Sequence, residues 1–139
     1  MNDMLVVIDT NVIISSFWSK NGNPAKIISL VQNKLLTVCY DYRIIREYEE
    51  VLSRMKFGFD KWEIYDFLSQ IKQDGLSVVA KPVSISFVDD EDRKFHEVAK
   101  QCNAILITGN IRHFPNDGYV LSPADFLRSF FNGETDIPH

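Results

Sequence analysis

Acidic and amide side chains at the ends of predicted secondary-structure elements are the residues of this sequence best suited to chemistry. They are Asp9, Glu47, Asp92 and Asn110. They lie far apart along the chain, so only the fold can bring them together. A pocket lined by carboxylates is costly without a cation, because like charges repel each other. Hard oxygen ligands select Mg²⁺ or Mn²⁺, and no Cys/His spacing supports zinc.

Asp9 follows the continuous apolar run of residues 4–8, which predicts a strand buried on both faces. An Asp at this position can also cap a following helix, and Thr10 or Asn11 could do the same. Three capping-type residues in a row exceed what one helix needs. We therefore interpret Asp9 as a functional residue.

Glu47 belongs to an amphipathic helix predicted over residues 41–55. Its apolar stripe consists of Ile44, Tyr48, Val51, Leu52 and Met55. At about 100° per residue, Glu47 lies roughly 80° from the centre of this stripe, whereas Glu49 and Glu50 lie farther away. Glu47 thus borders the buried face, and the other two are predicted to be solvated.

The acidic run 89–92 opens a helix predicted over residues 90–102. A helix cap and compensation of the helix dipole explain at least one of these charges. Four in a row exceed that need, since each gains at most ~1 kcal/mol and repels its neighbours. Asp92 lies on the margin of the predicted inward stripe of Phe95, Val98, Ala99 and Cys102. It is the preferred metal ligand, with Asp89 or Asp90 as alternatives.

Asn110 follows Thr108 and Gly109, where a glycine permits a tight turn close to a ligand. Asn is also a good turn and cap residue. His113 lies in the same loop, but a lone histidine is more often a hydrogen-bonding surface residue than a ligand.

Short apolar strands alternate with helices along the whole chain. Strands are predicted at 4–8, 35–40, 76–80, 104–108 and 119–121, and helices at 25–33, 41–55, 60–73, 90–102 and 123–131. This alternation predicts an α/β fold of three α/β/α layers around a central, mostly parallel sheet of four or five strands. Ligands of such sheets bind beyond the carboxyl ends of the strands, where Asp9 and Asn110 both fall. We expect one domain over residues 1–133 and a frayed tail over 134–139.

Composition limits the function classes. The sequence has 139 residues, of which 45% are hydrophobic and 24% charged, and no apolar run approaches the ~20 residues of a membrane span. Without a signal-peptide pattern, a cytoplasmic protein with reduced Cys39 and Cys102 is expected. The net charge of −4 argues against coating nucleic acid by charge alone. It does not exclude an enzyme that meets a phosphate through bound metal.

Together these segments resemble the PIN-domain nucleases, specifically the small prokaryotic PIN proteins known as toxins of type II toxin–antitoxin systems. The resemblance covers nearly the whole chain. It rests on 7–12 (VIDTNV), 45–54 (IREYEEVLSR), 89–95 (DDEDRKF), 107–110 (ITGN) and 121–127 (LSPADFL).

The resemblance implies a catalytic set and a supporting set of residues. The catalytic set is Asp9, Glu47, Asp92 and Asn110, and the supporting set is Thr10, Asn11 and Thr108. Asp9 and Asp92 would hold one Mg²⁺ or Mn²⁺ directly, and Glu47 would bind through water or to a second ion. The family's fourth position is commonly Asp, so Asn110 removes one negative charge.

The implied activity is metal-dependent endonucleolytic hydrolysis of RNA. Arg112, Lys94 and Arg93 would contact phosphates at the rim of the site. The resemblance also implies a homodimer and an antitoxin protein that blocks the cleft. Phe17 and Trp18 are candidate interface anchors, although they could equally pack in the core.

Other classes fit less well. A receiver-type phosphoacceptor domain would need an Asp at the end of the third strand, where Ala80 and Lys81 stand. A haloacid-dehalogenase-type phosphatase would need a second Asp where Asn11 stands. The serious rival is a catalytically impaired PIN fold that binds RNA or protein without cutting, and Asn110 is its main support.

Overall fold

Alternating strands and helices build a single parallel sheet covered by helices. The computed structural model describes residues 4–116 and 118–132. The strands are β1 (Met4–Ile8), β2 (Leu36–Tyr40), β3 (Leu76–Ser77), β4 (Ile105–Ile107) and β5 (Val120–Leu121). The helices are α1 (Thr10–Trp18), α2 (Asn23–Gln32), α3 (Tyr42–Leu52), α4 (Lys61–Asp74), α5 (Arg93–Cys102) and α6 (Pro123–Phe131). Three 3₁₀ turns occupy Met55–Phe57, Asp90–Asp92 and Ile111–His113.

The sheet has five strands in the order β3-β2-β1-β4-β5, and every pairing is parallel. The central strand β1 is apolar throughout, and Val6, Val7 and Ile8 are fully buried. Burial on both faces requires such a continuous apolar run. The predicted α/β/α architecture is confirmed, and all carboxyl ends of the strands lie at one edge of the sheet.

Local sequence determines several helix boundaries. The side chains of Asp41 and Ser122 accept hydrogen bonds from the third following N–H at the starts of α3 and α6. Pro123 occupies the first turn of α6, where no N–H partner is needed. Gly75 ends α4, and a side chain there would collide with the carbonyl oxygens of Ile71 and Val38.

Three sequence predictions need correction. The strand predicted over 76–80 ends at Ser77, because its partner β2 ends opposite it at Tyr40, and Val79 is 92% exposed. The helix predicted over 41–55 ends at Leu52, so Met55 lies outside the buried stripe and is 96% exposed. The helix predicted over 90–102 begins as a separate 3₁₀ turn before α5.

Two further expectations concern the chain as a whole. Across residues 4–116 and 118–132, no helix combines the length and apolar character that crossing a bilayer requires. The predicted frayed tail, 134–139, lies outside the described residues.

Candidate active site at the carboxyl edge of the sheet

Asp9 is held at the carboxyl edge of the sheet by contacts from the end of the neighbouring strand β4. Its N–H donates to the carbonyl of Ile107 at 2.9 Å, which continues the pairing of β1 with β4. Its carboxylate accepts a hydrogen bond from the Thr108 hydroxyl at 2.6 Å, and the Thr108 oxygen accepts one from the Asn110 N–H at 3.0 Å. Thr108 therefore orients the carboxylate of Asp9.

Asp9 occupies the capping position of α1 without acting as an ordinary cap. Its carboxylate forms no capping hydrogen bond of normal length and angle, although the Asn11 N–H lies near enough to favour the ionised form. The capping alternative from the sequence thus does not account for this residue. Asp9 is 6% exposed, and burying a carboxylate is costly. Helix capping does not explain why this cost is accepted.

Electrostatics connect Asp9 with the other two predicted acids. Burial raises the pKa of Asp9 to about 6, the Thr108 hydrogen bond opposes this, and the charges of Asp92 and Glu47 raise it further. Repulsion of this kind requires proximity, because it weakens with distance. The fold therefore brings Asp9, Glu47 and Asp92 into one electrostatically coupled group.

Glu47 reaches this group because α3 is fastened to the end of β1. The fully buried Tyr48 donates its hydroxyl hydrogen bond to the Ile8 carbonyl, immediately before Asp9. Glu47 directly precedes Tyr48 in α3, and its side chain is 22% exposed, as expected for the border of the buried stripe. Its carboxylate accepts a hydrogen bond from the Thr10 hydroxyl and forms an ion pair of 2.7 Å with Lys94.

The acidic residues 89–92 differ in their contacts and in their exposure. Asp89 caps the 3₁₀ turn by accepting from the Glu91 N–H at 3.0 Å, and Asp90 forms an exposed pair with Arg93. The side chain of Asp92 is only 14% exposed and lies 3.1 Å from Nδ1 of His113. Burial raises the pKa of Asp92, and the His113 contact lowers it in part. Among these acids, Asp92 is the one whose carboxylate is turned inward and not used as a cap.

The three predicted phosphate contacts occupy different environments. Arg112 is exposed and forms no ion pair within the described part of the chain. Arg93 donates to the Val83 carbonyl at 2.8 Å and pairs with Asp90. Lys94 does not lie at the rim: it is 7% exposed, so contact with a phosphate would first require it to leave its carboxylate partners.

Sequence reasoning missed the pairing of Lys94 with Glu47. Lys94 lies four residues before Val98, on the same face of α5, and its ammonium also contacts the Glu91 carbonyl. The i, i+4 spacing from a core valine was the available signal for its burial. An internal cation therefore neutralises part of the acidic group in this structure.

Asn110 lies at the carboxyl edge of the sheet, but its side chain does not join the group of Asp9, Glu47 and Asp92. It is exposed, and within the described residues its side chain forms no hydrogen bond to the acids. Its link to the site is the backbone N–H that holds Thr108.

Some of the oxygen atoms of the site are suited to binding a hard divalent cation. Oδ1 of Asn11 is a buried acceptor with no hydrogen-bond partner in the described structure, and such an atom needs a donor or a cation. A Cβ atom at Gly109 would lie 3.9 Å from the Asn11 amide, so Gly109 and Asn11 are neighbours at this edge of the sheet. Over residues 4–116 and 118–132, however, no three His, Cys, Asp or Glu side chains converge tightly enough to hold an ion. Asp9, Asp92 and Asn11 are the donors that fit, while Glu47 is engaged by Lys94.

Comparisons with known proteins agree with this architecture. The family model described as "PIN domain" matches residues 5–112. An uncharacterized protein of Methanocaldococcus jannaschii is 32% identical over 110 residues, covering 76% of this chain and 70% of the archaeal protein. No solved structure gives a significant match.

Proposed function

The chain belongs to the PIN domain family, whose members are generally nucleases that use divalent metals, and on this premise we propose that it is a Mg²⁺- or Mn²⁺-dependent endoribonuclease. The observation that carries the proposal is the buried Asp9 carboxylate, coupled to Glu47 and Asp92 at the carboxyl edge of the sheet. A fold that keeps a buried carboxylate next to two others gains from a cation at that place.

The roles of the side chains follow from their contacts. Asp9 and Asp92 would hold the ion, together with the Oδ1 atom of Asn11 that has no other partner. Thr108 would keep the Asp9 carboxylate in position, and His113 would do the same for Asp92. A bound divalent ion supplies charge stabilisation at a phosphoryl oxygen and lowers the pKa of a water molecule.

Glu47 would act in the reaction only after it has lost one of its two present partners, Thr10 and Lys94. Its two carboxylate oxygens accept from Thr10 and pair with Lys94, so no oxygen of Glu47 is free to orient a water molecule. Release of Lys94 would free one oxygen while Thr10 continues to hold the other. Glu47 would then orient water beside the phosphodiester.

Cleavage of a labelled RNA in Mg²⁺, Mn²⁺ or EDTA tests the activity. We expect cleavage with either metal, none in EDTA, and none with Asp9→Asn. Glu49→Gln is the matched control, because Glu49 lies on the same helix as Glu47 but forms an exposed pair with Lys72. Unchanged cleavage by Asp9→Asn would show that this carboxylate does not belong to the catalytic site.

A binding module without nuclease activity is the second candidate. It is favoured by Asn110 and by the absence, in the described chain, of three converged metal-ligating side chains. Calorimetric titration with Mn²⁺ separates the two functions. Binding by the wild type and its loss in Asp9→Asn support the nuclease, whereas no binding by the wild type supports the module.

The physiological role that we propose is that of a cytoplasmic toxin, a homodimer neutralised by a cognate antitoxin. Its support is the resemblance of the five sequence segments and the exposed ring of Trp18 as an interface anchor. Phe17 packs against Phe59 and Phe67 and belongs to the core margin instead. Induced expression should arrest growth, and Asp9→Asn should abolish the arrest at equal protein level.

A further inference from the structure

A groove of about 480 Å³ opens directly beside the candidate active site. One wall comes from α3, including Tyr42, Arg46 and Glu47, and the other comes from the start of α5 and the 3₁₀ turn before it. Glu47 thus belongs both to the acidic group and to the groove. A polymeric substrate positioned at the acids would extend into this space.

The cations of the groove differ in what they already bind. Arg43 pairs with Asp41 and Glu97. The two cations that α5 contributes to the groove are also paired, Arg93 with Asp90 and Lys94 with Glu47 and Glu91. Arg46 forms no ion pair with any described residue. Its guanidinium instead donates to the Tyr42 hydroxyl at 2.9 Å. A neutral partner leaves the full charge and most of the five donors of Arg46 available to an anion.

Tyr42 supplies an aromatic surface at the same place. Its side chain is 68% exposed, although tyrosine usually buries much of its ring. The Arg46 guanidinium lies over the ring, 5.3 Å from its centroid, in addition to donating to the hydroxyl of the same ring. Exposed aromatic rings beside arginine are the arrangement on which unpaired nucleic-acid bases stack.

We propose that this groove is a subsite for one nucleotide of single-stranded RNA adjacent to the cleaved phosphodiester. The base stacks on Tyr42, and the phosphate of that nucleotide binds Arg46. Because a base must leave a duplex to stack on a side chain, the subsite selects single strands over double-stranded RNA. The inference rests on the proposed nuclease function, since the adjacent acids mark the position of the cleaved phosphodiester.

Binding of a fluorescent single-stranded RNA of ten nucleotides, measured by anisotropy in EDTA at low salt, tests the subsite without cleavage. We expect Tyr42→Ala to weaken binding about 5- to 100-fold, which corresponds to the loss of one stacked base. Tyr42→Phe should retain binding. Arg46→Ala should weaken binding and reduce the salt dependence of log K by about 0.7, the effect of one phosphate contact on a single strand.

Two matched controls lie outside the groove. Tyr65 on α4 is 62% exposed, and Arg128 on α6 is 66% exposed and paired with Asp125. Tyr65→Ala and Arg128→Ala should bind RNA as the wild type does. Equal losses in these controls, equal binding of a duplex of the same length, or no RNA binding by the wild type would each overturn the subsite.

The outcomes also separate the subsite from the nuclease function. Binding that depends on Tyr42 and Arg46, without cleavage in Mg²⁺ or Mn²⁺, supports the subsite and contradicts the nuclease. Cleavage by the wild type, with binding and cleavage unaffected by Tyr42→Ala and Arg46→Ala, supports the nuclease and contradicts the subsite.

Discussion

At the scale of single residues, Asp9 makes the metal-free protein less stable at neutral pH. Burial raises its pKa from 3.8 to about 6, so the folded protein holds this proton more tightly than the unfolded chain does. Stability therefore falls as pH rises between about 4 and 6. Asp9→Asn removes this effect and can still accept the Thr108 hydrogen bond. We expect the variant to be more stable by about 2–3 kcal/mol at pH 7 in EDTA, with no difference near pH 4.

Urea denaturation at several pH values in EDTA measures this difference. Mg²⁺ should reverse the order, because only the wild type binds the ion and is stabilised by it. Glu49→Gln, an exposed acid of α3, should change stability little at any pH. A less stable Asp9→Asn at pH 7 in EDTA would mean that the Asp9 carboxylate is already satisfied without metal.

Lys94 partly compensates the acidic group and would compete with the proposed metal ion for it. Its ammonium is nearly buried against Glu47, and removing one partner of such a pair leaves an uncompensated charge. Lys94→Met should lower the stability of the metal-free protein by about 1–3 kcal/mol. The same variant should show a larger rise in melting temperature with Mg²⁺, because a competing positive charge has been removed.

Thermal unfolding with and without Mg²⁺ checks both parts of this prediction for Lys94. Lys72→Met is the control, since Lys72 is half-exposed and its pair with Glu49 is longer, at 3.5 Å. If Lys94→Met instead reduced the effect of Mg²⁺, the lysine would be supporting the metal site by positioning Glu47.

At the scale of secondary-structure elements, apolar periodicity was sufficient to predict most of the sheet and its covering helices. The stripe of α3 placed Tyr48 in the core and Glu47 at its border, and both positions agree with the structure. Periodicity overestimated β3, because the apolar composition of residues 76–80 cannot reveal that the partner strand β2 ends at Tyr40, opposite Ser77. Pairing partners are decided by the tertiary structure and not by local composition.

Polar contacts between secondary-structure elements could not be predicted from the sequence. The predicted inward stripe of α5 contained Phe95, Val98 and Ala99, which are buried, but Glu97 is also buried. Glu97 is inside because Arg43 of α3 and the Val83 N–H both reach it, at 2.8 Å each. Such partners come from distant segments, so no spacing rule within α5 indicates them.

Glu97 fastens the segment before α5 to the rest of the molecule. Burial alone would raise the pKa of Glu97, but the Val83 N–H and Arg43 lower it below its ordinary value. Its stabilising effect is therefore present above the pKa of the unfolded chain, 4.5, and is lost as pH falls through the folded value. Glu97→Gln should cost about 1–3 kcal/mol at pH 7 and progressively less under acid conditions.

Hydrogen exchange distinguishes this role of Glu97 from a general loss of packing. The Val83 amide should exchange faster in Glu97→Gln. The exchange rates of the β1 amides should change only as far as the global stability changes. Glu63→Gln, which removes an exposed pair with Lys20, should leave the Val83 amide unchanged. An unchanged Val83 amide in Glu97→Gln would mean that this segment is held by other contacts, such as that of Arg93 with the Val83 carbonyl.

At the scale of the whole molecule, the RNA binding that we propose would depend on local charge and shape. A net charge of −4 provides no general attraction for a polyanion, so the molecule must rely on local features. A divalent ion at Asp9 and Asp92 would neutralise these two carboxylates, and Arg46 provides a cation in the adjoining groove. Binding should consequently depend less on salt than in proteins that contact many phosphates.

The proposed homodimer is tested at the same scale through Trp18. Its ring is 66% exposed and contacts Phe57 and Phe59, so it forms part of an aromatic surface that a second copy could bury. Trp18→Glu should shift the protein to monomers in sedimentation velocity while leaving the fold intact by circular dichroism. Phe131→Glu on α6, where the ring is 67% exposed, is the matched control and should not affect the dimer. A wild type that sediments as a monomer at all concentrations contradicts the dimer, and a dimer unaffected by Trp18→Glu places its interface elsewhere.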